Sequence, residues 1–95
     1  MNYTDFLKLR DQKKIPDDLP LLLRALLLDA DGDWDGAHRI AQDDSSRNGS
    51  WVHAYLHRKE GDLANASYWY RRAGRFLPDI NLEEEWKEIS NTLIG

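Results

Sequence analysis

A chain of 95 residues fits one small domain, and folding at this length hides only somewhat more than about 60% of the unfolded surface, leaving little room for a deep catalytic cavity. Hydrophobic residues at 41% and charged residues at 32% suit a globular chain rather than a disordered or membrane one, and the lack of cysteine excludes a disulfide framework and a thiolate zinc site. The net charge of -4 argues against a general affinity for nucleic acid.

The N-terminal "MNYTDFLKLRDQKK" has no apolar stretch followed by a small-residue cleavage site, so export is not expected and the chain reads as cytoplasmic. Phe6 and Leu9 mark a short first helix, 3–13, ended by the prolines of "IPDDLP". A second helix, 18–30, carries the longest apolar run, "LLLRALLL". Arg24 interrupts that run, which is far below the roughly 20 residues that span a bilayer, so no membrane is expected. "DGDWDG" breaks the helix at Gly32, and Asp33 is a suitable N-cap for a third helix reaching Asp44. After the turn residues "SSRNGS", Ser50 or Asn48 caps a fourth helix to Glu60, Gly61 stops it, and Asp62 caps a fifth that reaches Phe76. "LPDI" turns the chain into a last helix, 82–94, with Leu82, Trp86, Ile89 and Leu93 on one stripe and Glu83, Glu84 and Glu85 in its first turn. No stretch alternates as a strand does, so the chain is expected to be all-α.

The two middle helix pairs superpose. "GDWDGAHRIA" falls on "GDLANASYWY", matching Gly32 with Gly61, Asp33 with Asp62, Trp34 with Leu63 and Ala37 with Ala66, while upstream Ala25 matches Ala54. A helix, a Gly-Asp turn and a helix with a small residue at the crossing point make a repeated helical hairpin, 18–44 and then 50–76, the signature of an α-solenoid.

On these residues the chain resembles the tetratricopeptide repeat (TPR). The second unit supplies Ala54, Ala66, Tyr70, Ala73 and Pro78 in the family's order, and the first supplies Ala25, Leu28, Ala37 and Ala41 without a proline. The resemblance implies a short right-handed solenoid of two hairpins with an extra helix at each end, working as a non-catalytic protein-protein interaction module. In that family the inner-helix stripe lines a concave groove that holds a peptide, which here places Trp51, Tyr55 and Arg58 in the groove, preceded by Leu22, Leu26 and Asp29. The competing expectation is that the last helix covers this stripe with Trp86. The chain also departs from the family: His53 and His57 stand at its core Leu and Tyr positions, and Arg24 at a Leu position.

His53 and His57 are four residues apart and share a helix face, and His38 on the preceding helix comes close to them in a solenoid. The three form the alternative site, for a metal or small molecule; against it, histidines bonded to backbone or carboxylate are ordinary core residues. Asp31, Asp33, Asp35 and Gly36 mimic the start of an EF-hand, but its twelfth position is Gln42 and the repeat needs Gly36 to His38 helical. Acidic residues crowd the first half, and Arg58, Lys59, Arg71, Arg72 and Arg75 the second, so the basic face suits an acidic protein or peptide partner, or the acidic half of a second copy in a homodimer. Arg71, Arg72 and Arg75 are the second candidate contact surface. No Ser-His-Asp spacing, glycine-rich phosphate loop or paired glutamates marks an active site, and no cofactor is expected.

Overall fold

Helices in this chain begin where a side chain can accept from an otherwise free backbone amide. In the computed structural model, which describes residues 1–95, Asn2 caps α1 (Tyr3–Asp11), Asp33 caps α3 (Trp34–Gln42), and Ser46 caps α4 (Arg47–Glu60). Asp62 caps α5 (Leu63–Arg72), and Asn81 caps α6 (Leu82–Ile94). The remaining helix, α2 (Leu21–Ala30), starts after Pro20 with no side-chain cap. These six helices and no strand make the fold all-α.

Several boundaries differ from expectation for local reasons. α4 starts earlier than Asn48 or Ser50 because the Ser46 hydroxyl accepts from Gly49 N at 3.0 Å. Gly49 permits this start, since a Cβ there would collide with the carbonyl oxygen of Asp44. α5 stops at Arg72, before Phe76, as Gly74 takes a φ of 73° and Arg75 N donates back to Tyr70 O at 2.9 Å. α1 ends at Asp11 and α2 begins at Leu21, each shorter than the apolar pattern suggests.

The Gly-Asp breaks adopt one geometry twice. Gly32 and Gly61 have φ of 90° and 91°, the left-handed region that a side chain resists, and the following amide donates back in each case: Asp33 N to Leu28 O at 2.8 Å, Asp62 N to His57 O at 2.9 Å. Each break folds a hairpin, α2 on α3 and α4 on α5, and α3 packs on α4 to join them. The small residues Ala25, Ala37, Ala54 and Ala66 are completely buried, which lets the helix backbones approach.

α6 does not extend this row. It lies across α2 and α4, with α1 against α6 and α2. Trp86 anchors the arrangement: its indole N–H donates to Leu26 O at 3.2 Å, and its ring stacks on Phe6 at 5.3 Å beneath the Arg10 guanidinium. No helix is long and apolar enough to cross a membrane.

Candidate functional site

The stripe expected to face a groove is core. Trp51, Tyr55, Leu22 and Leu26 are buried, and Arg58 is nearly so, because α6 covers the face on which they lie. At its centre stands Glu85, only 1% exposed. Its carboxylate accepts from the Trp51 indole at 3.1 Å, from Arg58 Nη1 at 2.8 Å, and from the Tyr70 hydroxyl at 2.6 Å. Arg58 also donates to Ile80 O, tying the turn before α6 to α4. One unit earlier Asp29 is buried and accepts from Lys59 Nζ at 2.9 Å. A buried charge needs a partner and further donors to persist, and Glu85 has them all within the chain. Burial, reinforced by Glu85, holds the Tyr70 phenol protonated far above its ordinary range. The expectation that Trp51, Tyr55, Arg58, Leu22 and Leu26 line an open groove is therefore corrected: in this fold they hold α6 in place.

The second constellation is the histidines. The break at Gly32 aims α3 so that His38 meets the face of α4 bearing His53 and His57, and the three rings lie 4.7 to 5.1 Å apart between centroids. His38 Nε2 and His53 Nε2 stand 3.0 Å apart, so one ring N–H serves the other. His57 Nδ1 lies 2.6 Å from a Glu60 carboxylate oxygen, and Asn65 Nδ2 lies 3.4 Å from His57 Nε2. Trp34 stacks on His38 at 4.8 Å and Trp69 on His53 at 4.0 Å, fixing both rings between aromatic walls. Trp34 is itself anchored by its indole N–H donating to Leu56 O at 2.9 Å. His38 is half-buried, while His53 and His57 are buried.

Burial pushes the His53 imidazole down to about 4, and the charges that His38 and His57 can carry push the same way. His38 is lowered too, by burial and by His57, against the pull of Glu60 and Asp35. With a folded pKa below the unfolded one near 6.5, each ring binds its proton better in the unfolded chain. The stability they contribute is full well above pH 6.5 and is lost as pH falls below it, for His53 down to about 4. Lowering pH from 7.5 to 5, where most carboxylates are still ionised, will reduce stability by about 1 to 2 kcal/mol. Urea unfolding at a series of pH values measures this slope, and His53→Leu will remove most of it.

The aspartate-rich turn is helical where a calcium loop needs coil. Gly36 to His38 lie in α3, and Asp33 is engaged as its cap, accepting from Gly36 N at 2.9 Å. At the opposite edge Arg71, Arg72 and Arg75 are exposed and none makes an ion pair. Arg72 sits over Tyr68 and Trp69, and Arg75 over the Trp51 ring. Beyond them Phe76 is 93% exposed, the most exposed large hydrophobic residue of the chain. The helical pattern that carries the fifth helix to Phe76 gives no sign of this exposure, and three adjacent glutamates give none of the partners of Glu85. Glu60, three residues after His57 on the same helix, could have been paired with it from spacing alone.

Comparison with models of protein families, with curated proteins and with solved structures finds no match. The likeness to the tetratricopeptide repeat thus rests on the residues quoted above.

Proposed function

We propose that the protein is a non-catalytic interaction module of the tetratricopeptide type, a short solenoid of two such hairpins acting in the cytoplasm, and that it holds its partner on its outer edge. With the inner face filled by α6, the contact surface is the end of α5 and the turn after it. The observation that supports this most is Phe76, almost wholly exposed among Arg71, Arg72 and Arg75. A large aromatic left in water beside unpaired guanidinium groups has the composition of an interface anchor. A cleft of about 210 Å³ beside Phe76 is lined by Arg75 and Pro78 together with Trp51, Tyr70, Glu85 and Glu88; the two glutamates admit an uncharged side chain and keep a partner's own carboxylates outside, towards Arg71 and Arg72. The matching partner is an acidic segment carrying one such uncharged residue.

A panel of peptides combining Asp or Glu with a central Leu or Phe, titrated into isotope-labelled protein, tests this reading. The binding peptides are expected to shift signals of Phe76, Arg72 and Arg75. Phe76→Ala is expected to cost about 2 kcal/mol of binding, roughly thirtyfold in Kd, with an unchanged unfolding midpoint. Binding will also weaken with salt, since exposed charges are screened within about 10 Å at 0.1 M. Peptides that bind with the same affinity to Phe76→Ala and Arg72→Glu would place the contact elsewhere.

A further inference from the structure

The histidine cluster is poorly explained as packing. A core histidine is ordinarily satisfied by a backbone carbonyl or a carboxylate, yet only His57 has such a partner. His38 and His53 are bonded to each other, and His53 Nδ1 is buried with no partner at all. Aliphatic residues would fill the space between Trp34 and Trp69 without burying two facing ring nitrogens whose only partner is each other, and it is this Nε2 pair, not Nδ1, that would face a ligand.

We propose that His38, His53 and His57 bind one divalent transition-metal ion of the zinc class. Their ligand atoms all lie within 4.8 Å of one another. Two nitrogens each about 2.0 to 2.1 Å from a tetrahedral ion stand roughly 3.3 Å apart. The His38 and His53 nitrogens, at 3.0 Å, need only open slightly, and the His57 ring must swing inward. Glu60 prepares His57 for this role: by accepting the Nδ1 proton at 2.6 Å it leaves Nε2 with a free lone pair, as carboxylates do behind metal-bound histidines. The Asn65 amide, 3.4 Å from that nitrogen, marks the direction of the lone pair, and turning the amide over offers its oxygen as a fourth ligand. Trp34 and Trp69 hold the first two rings against rotation. Three imidazoles bring no negative charge and no hard oxygen, which selects a borderline ion over calcium or magnesium. The half-buried edge of His38 is the way in. The three histidines lie on α3 and α4, with Asn65 and Trp69 supplied by α5, and the proposal stands whether or not a peptide binds at Phe76.

The test uses the untagged full-length chain, stripped with a chelator and titrated with zinc alone. Calorimetry is expected to show one equivalent, and the ring signals of all three histidines are expected to shift together. Cobalt(II) in place of zinc is expected to give the visible absorption of a tetrahedral nitrogen-rich site. His38→Gln and His57→Gln should largely abolish binding. Glu60→Gln, which keeps every ligand, should weaken it by about 10- to 100-fold. Absence of saturable binding overturns the proposal, as does zinc binding of unchanged affinity in both histidine variants, which would put the ion on surface carboxylates. Should a histidine variant fail to fold, the wild-type ring signals and the cobalt spectrum decide: unmoved rings and an octahedral cobalt spectrum refute the site.

Discussion

Glu85→Ala will destabilise the fold by about 3 to 5 kcal/mol, a large fraction of what a domain of this size possesses. The cost does not come from the glutamate itself. It comes from what remains: the Arg58 guanidinium, 16% exposed, loses its only carboxylate, and the Trp51 indole and Tyr70 hydroxyl lose their acceptor. Breaking a buried pair by removing one partner is far worse than never having built it. Glu84→Ala and Glu88→Ala remove the same charge from exposed positions on the same helix and should change stability by no more than about 0.5 kcal/mol. Guanidinium unfolding of the three variants makes the comparison. Equal losses would mean that Glu85 contributes only to the helix end, like its neighbours.

Trp86→Ala should be comparably severe, about 3 to 5 kcal/mol. The ring is 2% exposed and fills the space between α1 and α2 beneath Phe6, Tyr3 and Arg10. Its removal leaves a cavity that α-helices cannot close without sliding, and it deletes the indole N–H bond to Leu26 O that ties α6 to α2. The physical consequence extends beyond stability. Because α6 is held to α2 and α4 chiefly by Trp86 and Glu85, a weakened α6 should detach before the hairpins melt. Hydrogen exchange of Trp86→Ala is expected to show Ile89 and Ser90 amides losing protection ahead of Val52 and Leu56. Simultaneous loss at all four would mean that α6 and the hairpins unfold as one unit.

The all-helical class was legible because it depends on local chemistry. Gly32 and Gly61 announce a left-handed residue, and Asp33 and Asp62 announce caps, through backbone preferences that require no neighbour. The Ser46 cap was missed because Asn48 and Ser50 are equally good caps in isolation; only the contact of Gly49 with Asp44 selects among them. Glu85 shares the first turn with Glu83 and Glu84, and only its spacing, three residues after Leu82 and four before Ile89, places it beside the apolar stripe. Its donors, Trp51, Arg58 and Tyr70, follow from the direction in which α6 crosses α2 and α4, a tertiary fact that spacing does not carry. The histidines present a mixed case: spacing puts His53 and His57 on one face, and the repeat suggests that His38 is near. Trp34 and Trp69 as walls, and Asn65 as a neighbour, emerge only from the packing of three helices.

Which aromatic surface meets water decides where a partner can bind: the stripe of Trp51 and Tyr55 lies inside, Phe76 outside. A soluble paramagnetic agent, which broadens proton signals according to their distance from solvent, measures this on the intact chain. The Phe76 ring should broaden strongly, and the Tyr68 ring partly. The rings of Tyr55, Tyr70 and Trp86 should stay sharp beneath α6, as their burial requires. If Tyr55 broadened as strongly as Phe76, α6 would not cover the inner face, and the groove rather than the outer edge would be the binding surface.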